Sequence, residues 1–384
     1  MEIKKIIEQK KKMQESLLDY LEDESDAERN FNSFVKIIAN QNIKGDKFEF
    51  KSLLQIINVI GNHHHRCHNF INKIDRILDH IKEDIPKYFT NSEIFNIFKD
   101  NKRILLFLFE SKVIKMDEYI FSQITSDEYT TSRYAEYFSP ELQPLLTDKL
   151  INKYKSQNQN LKNSEFIQKV KKEIPSDFYA KRREGENEDY LCQLIRNDQI
   201  EDFVSYSNQA NFSLSSEVTE SIFETNPLLM TYRRKELIYY AIFFGSLKII
   251  RYMLMNGKKL TTYMWEYAIH SQNAELIKLF EENKIRISYQ GYEPILEDSI
   301  RCHHNDFTSY FIDNMIDEKK FNENIEKKFN ENIYCYSLQF YNYFFFPENL
   351  DNRFLFFYLC RFDYYKLVEL FLKQGNININ ATHI

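Results

Sequence analysis

Along the first eighty residues the apolar positions recur at spacings of three, four and seven, with lysine and glutamate between them. Ile3, Ile6, Met13, Leu17 and Leu21 predict an amphipathic helix over 2–22. Asp26 and Glu28 open a second helix ahead of Phe31, Phe34, Val35 and Ile38. Leu53, Leu54, Ile57 and Ile60 mark a third, which Gly61 and Asn62 are expected to end. Phe70, Ile71, Ile74, Ile77, Leu78 and Ile81 supply a fourth stripe. NSEIFNIFKDNKRILLFLFESKVI, residues 91–114, reads as a short helix, a turn at Asp100 and Asn101, and a second helix. The stretch 125–148, with Pro140 and Pro144, is less regular, and a long polar helix is expected over 146–172. Pro175 and the charged run AKRREGENED at 180–189 then suggest a boundary, giving an N-terminal helical region, 1–185, and a repeat array, 186–384.

Within the second region a cadence repeats. ELIYYAIFFGSLKIIRYMLMNG, MWEYAIHSQNAELIKLFEENK, ILEDSIRCHHNDFTSYFIDNM and FFYLCRFDYYKLVELFLKQG can be laid over one another. Ile238, Trp265, Leu296 and Phe356 coincide as anchors of a first helix, and Ala241, Ala268, Ser299 and Leu359 follow three residues later. A second helix offers Ile249, Tyr252 and Met253, then Leu276, Leu279 and Phe280, then Phe307, Tyr310 and Phe311, then Leu367, Leu370 and Phe371. Each unit therefore carries one apolar stripe, too narrow to be buried without neighbours. The register steps from Ala241 are 27, 31 and 60 residues, so the last gap has room for one further unit.

This order and spacing resemble the ankyrin repeat, whose period is about 33 residues. The resemblance is to a degraded form. The TPLH turn is absent, and the glycine after the second helix survives only at Gly257 and Gly375. With HHHRCHNFINKI, NSEIFNIFKDNKRILLFLFE and YFSPELQPLL added, most of the chain resembles an expanded protist family of divergent ankyrin-like proteins carrying a domain of unknown function. That resemblance implies an all-α helical solenoid, with an irregular helical region before it, and no established enzyme activity.

Composition narrows the picture. Apolar residues make up 43% of the 384, and seven glycines and seven prolines are too few for a fold of many tight β-turns. The abundance of Lys, Asn, Ile, Phe and Tyr is also what an A/T-rich genome produces, so aromatic content alone does not mark a binding surface. A net charge of −6 gives no general attraction to phosphate backbones, and nucleic acid is not an expected partner. No stretch reaches 18 uncharged apolar residues, and MEIKKIIEQKKKMQ lacks the core of a secretory signal. FYNYFFFPENLDNRFLFFYL is broken by Pro347, Glu348, Asp351 and Arg353 and reads as packed helices with a loop. The cysteines at 67, 192, 302, 335 and 360 show no CxxC spacing, so reduced thiols in a cytoplasmic protein are expected.

Two stretches hold candidate chemistry. His63, His64, His65, Cys67 and His68 invite a zinc site or an activated thiolate, as does the smaller group Cys302, His303 and His304. In a linear stack several helix pairs, at about 8–10 Å per packed layer, would separate the two groups, which excludes one shared site. Solvated turns are then expected at both, with no cofactor and no metal. GxSxG, HExxH and phosphate-cradling glycine loops are absent.

A solenoid instead offers a concave face and projecting loops to a protein partner. Tyr232, Arg233, Lys258, Lys259, Thr262, Arg286, Tyr289 and Tyr292 are the candidate contacts, because tyrosine and arginine favour interfaces. KKFNENIEKKFNENIY, residues 319–334, writes one octapeptide twice with only its last residue changed, a duplication expected to lengthen a helix or loop and, failing that, to form a docking helix. Because KLVELFLKQGNININATHI follows the last apolar hairpin without a polar cap, self-association through that end is a further expectation.

Overall fold

The computed structural model describes residues 2–67, 69–125, 134–147, 164–209, 212–231, 236–287, 291–315, 323–346 and 353–374. These residues form helices joined by turns. Among them extended pairing is confined to an isolated antiparallel bridge between Glu217 and Glu236. No helix among the described residues is long and apolar enough to cross a membrane.

The N-terminal periodicity becomes four helices, α1 (Glu2–Glu22), α2 (Ala27–Asn40), α3 (Lys47–His63) and α4 (Phe70–Ile81). Their predicted stripes are the buried ones: Leu17 and Leu21 in α1, Phe34 and Ile38 in α2, Leu53, Leu54, Ile57 and Ile60 in α3, and Ile77 and Leu78 in α4. Asp46 caps α3 by accepting from the amides of Phe48 and Glu49. Helix α3 does not stop at Gly61 as expected. A Cβ there would come within 3.1 Å of Ile104 and Asn101, so the glycine admits close packing against helix Lys102–Glu110. Helix Asn91–Phe98 opens with a full capping box between Thr90 and Glu93, confirming the predicted pair at 91–114. Of the polar helix expected over 146–172, Ser164–Lys171 is observed, and residues 148–163 lie outside the described ones.

Five helix pairs follow: Tyr190–Arg196 with Ile200–Ser207, Leu237–Phe244 with Leu247–Met255, Trp265–His270 with Ala274–Glu282, Tyr292–Arg301 with Asn305–Tyr310, and Arg353–Arg361 with Tyr365–Gln374. The first of them was not among the aligned units. Each turn passes through one left-handed residue, at Asp198, Gly245, Gln272, His303 and Asp363 respectively. Glycine supplies that conformation without strain only at 245, so elsewhere packing holds a non-glycine residue there. The first helices touch in chain order from Tyr190–Arg196 to Tyr292–Arg301, then through helix Glu323–Gln339 to Arg353–Arg361. Ala241, Ala268, Ser299 and Leu359 are all fully buried along this line, where small side chains let helices approach. The duplicated octapeptide ends inside helix Glu323–Gln339, where Phe329 and Ile333 are buried; Phe321 lies outside the described residues.

The last pair is covered on one side by the N-terminal helices, while Phe357 and Leu372 stay exposed. The apolar cluster of the N-terminal helices also takes in Leu355, Leu359, Leu367 and Phe371 of the last pair. The Tyr365 ring stacks on Phe48 at 4.0 Å, Lys366 pairs with Asp46 at 2.9 Å, and Lys51 pairs with Asp363. The start of α3 thus covers part of the apolar surface of the last pair.

A buried clasp closes the same junction. Gln14 of α1 donates to Asn342 Oδ1 at 2.9 Å and accepts from the Tyr343 amide at 2.6 Å, while Asn342 donates to the Ile300 carbonyl at 2.9 Å. Gln14→Leu keeps the volume and orphans these partners, at a cost of about 1–3 kcal/mol. A lower urea midpoint with unchanged far-UV helicity is the expected reading.

Candidate functional site

Two histidine-bearing helix ends meet where α1 and α3 pack against the later helix pairs. His63 closes α3, and His64 and His65 leave it in extended chain. Cys302, His303 and His304 make the turn after helix Tyr292–Arg301, with His303 left-handed at φ 59°. Because α3 packs on that helix, the two stretches are neighbours in space. One nitrogen from each of His64, His65 and His304 falls within 4.8 Å of the others. This corrects the expectation that the groups lie tens of ångströms apart. A single line of hairpins would separate them, whereas the N-terminal helices lie alongside the line of later pairs.

The expectation of solvated turns fails too. His64, His303 and His304 are buried, each no more than 2% exposed. The three ring centroids stand 4.7, 4.8 and 5.4 Å apart. His64 Nδ1 lies 2.8 Å from the Cys302 carbonyl, which only accepts, so Nδ1 carries the proton and Nε2 presents its lone pair. That Nε2 is 3.2 Å from Glu22 Oε1 but out of line for a hydrogen bond. His65 Nδ1 and both nitrogens of His304 are buried without a hydrogen-bond partner.

Burial is the main cause that keeps the surrounding imidazoles neutral. It lowers His65 to about 3, with the nearby Lys73 ammonium acting in the same direction, and lowers His270 to about 3 and His303 to about 4. His63 and His304 are driven in the same direction. The cysteines behave differently from an activated nucleophile. Burial pushes the Cys67 thiol up, and its Sγ donates to the Leu21 carbonyl at 3.3 Å. Cys302 is fully buried, 3.4 Å from His270 Nδ1, and its thiol too is raised. A thiol held protonated is a poor nucleophile. His68 lies outside the described residues.

His303 and His304 also line an open groove of about 860 Å³ between α1 and the pairs at 265–282 and 292–310. Glu15, Asp19, Glu22, Glu281 and Asp306 face it, against one cation, Lys278, among the described lining residues. Burial, with the charges of Glu22 and Asp23, raises the Asp19 carboxyl above its ordinary value, a mark of crowded negative charge. Ile277, Phe307 and Phe344 add apolar wall.

No family model, curated protein or solved structure matches this chain. Its function has to be read from these residues.

The loop residues singled out from the sequence do not converge. Tyr232, Arg233 and Tyr289 lie outside the described residues. Lys259, Thr262 and Arg286 are exposed. Lys258 pairs with Glu236 at 2.6 Å and donates to Ser215 Oγ at 2.8 Å. Tyr292 is a core residue, 4% exposed, packed on Phe329 with centroids 5.3 Å apart. The acidic wall was missed because Glu15, Asp19 and Glu22 read as the ordinary polar face of an amphipathic helix. Only the fold sets that face opposite Glu281 and Asp306.

Proposed function

We propose that this protein is a non-catalytic recognition scaffold of degenerate ankyrin-like hairpins, whose acidic groove takes a lysine- or arginine-bearing segment of a protein partner. The groove's charge carries the reading: five carboxylates face one lysine, beside enough apolar wall to hold a side-chain stem. The stacked first helices and the left-handed turn at one position of every pair support the repeat interpretation. Phosphate-rich ligands are disfavoured by the same charge. Five free cysteines fit a reducing, cytoplasmic setting.

The groove is preferred to the loop surface expected from the sequence, since Tyr292 is buried and Lys258 is already paired. A fluorescein-labelled Lys/Leu peptide is expected to bind in fluorescence anisotropy, and a Glu/Leu peptide of equal length is not. Glu15→Lys with Asp19→Lys, both exposed on α1, should weaken binding by roughly tenfold or more, and added salt should weaken it further. Equal affinity for the two peptides, or indifference to charge reversal in a folded variant, would reject the groove as the recognition surface.

A further inference from the structure

We infer that His64, His65 and His304 form a binding site for one divalent first-row transition-metal ion of the zinc class, set in the wall of the acidic groove. The inference is independent of whether the groove takes a peptide. Its first support is geometric. Around an ion bound at about 2.1 Å per imidazole, tetrahedral neighbours place ring centroids about 5.2 Å apart. The observed 4.7, 4.8 and 5.4 Å bracket that value. The ligating nitrogens, within 4.8 Å of one another, need to close to about 3.4 Å, a movement that ring rotations supply.

The second support is the hydrogen-bond accounting. A neutral imidazole buried without partners is costly, by about 1–3 kcal/mol for each unsatisfied polar atom. Here His64 Nε2, His65 Nδ1 and both His304 nitrogens stand unsatisfied in one place. An apolar core would fill such a position with phenylalanine or leucine. One ion takes a lone pair from each of three rings and answers three of these deficits together.

The third support is the surrounding shell. The bond from His64 Nδ1 to the Cys302 carbonyl fixes the tautomer that exposes Nε2, the arrangement that orients metal-bound histidines. Glu22, 3.2 Å from that Nε2, is the carboxylate at hand to balance the ion's charge and take a fourth position. Lys73, whose charge reaches His65, is tied to the Leu21 carbonyl at 2.9 Å. Three nitrogen donors select against calcium and magnesium, which require oxygen shells.

Such an ion would join residues some 240 positions apart, pinning the end of α3 to the turn of the fourth hairpin. The test uses the tag-free full chain, stripped with chelator and titrated with zinc against a chromophoric competitor, and with cobalt(II) for its ligand-field spectrum. One equivalent is expected to bind and to raise the melting temperature. His65→Gln and His304→Gln should each weaken zinc binding by roughly 100-fold. His80→Gln, at an exposed histidine of α4, should leave it unchanged. X-ray absorption on the zinc-loaded wild type reads the donors directly, so the test survives variants that fail to fold. Imidazole scattering from about three rings supports the site. A folded chain that takes up no stoichiometric ion, binding lost with His80 and kept without His304, or an all-oxygen shell would overturn it.

Discussion

Taking the metal-free protein from pH 7 to pH 4 is expected to lower its stability by several kcal/mol, enough to start unfolding it. The histidines at this junction carry the effect, His63 and His304 in the same direction as the three whose values follow. Burial holds His65 and His270 at about 3 and His303 at about 4, against an ordinary value of 6.5. A group depressed in the folded state contributes stability that is complete above its unfolded value and is lost as the pH falls toward the folded one. The window therefore opens near pH 6.5 and runs down to 4 and below. At 1.36 kcal/mol per unit, each ring loses about 3 kcal/mol by pH 4.

Some carboxyls work in the opposite sense. Asp298, raised by burial to about 7 in spite of Arg301, destabilises the fold at neutral pH and gives back about 4 kcal/mol on acidification. Glu224 and Asp75, also raised by burial, share that sign. Asp84 and Glu93, held low by hydrogen bonds, side with the histidines. A net loss of about 5 kcal/mol is large beside a typical folding stability of about 5–15 kcal/mol.

His270 isolates the cause. It faces Phe243 at 5.2 Å, the His63 carbonyl at 3.1 Å and Cys302, and feels Arg301 and His64. His270→Asn removes one titrating ring and should reduce the loss of stability between pH 7 and 4, read from urea midpoints, by about 3 kcal/mol. A wild-type midpoint that stays level between pH 7 and 4 in the presence of chelator would refute the argument.

The helices were legible because their apolar stripes depend only on local spacing. Leu17, Leu53, Ile77 and Ala268 sit in the core where the periodicity put them. What is not local was not legible. Gly61 reads as a helix stop until Ile104 is known to lie against it. His303 and His304 belong to a turn, as the repeat alignment indicates, but whether a turn is wet depends on what covers it. Here α1 and α3 do, and both lie near the other end of the chain. The last hairpin reads as uncapped for the same reason, since Phe48 and Asp46 belong to the other end of the chain. The candidate metal triad and the acidic groove both arise at this long-range contact, so a reading that stops at hairpin neighbours finds only half of each.

The second large effect is expected at Arg182, inside the charged run that reads from the sequence as a boundary. Its side chain is 2% exposed and forks onto Glu141 at 2.8 and 2.9 Å, with a further bond to the Tyr137 carbonyl at 3.0 Å. Tyr137 answers by donating its hydroxyl to the Arg182 carbonyl at 3.0 Å. Arg182→Ala leaves a largely buried carboxylate and a buried carbonyl without their donor, a loss of about 3–5 kcal/mol. Arg182→Lys should recover little, because a single ammonium cannot replace the planar fork. Two charges withdrawn from water gain less than their attraction suggests, and Nε of this arginine is itself buried without a partner. The paired change Arg182→Met with Glu141→Leu should therefore regain most of what Arg182→Ala loses. Urea midpoints of the four proteins decide it. If Arg182→Ala stays within about 1 kcal/mol of the wild type, Glu141 is stabilised by solvent rather than by the guanidinium, and the helix Phe178–Glu184 is held by Phe178 and its apolar neighbours alone.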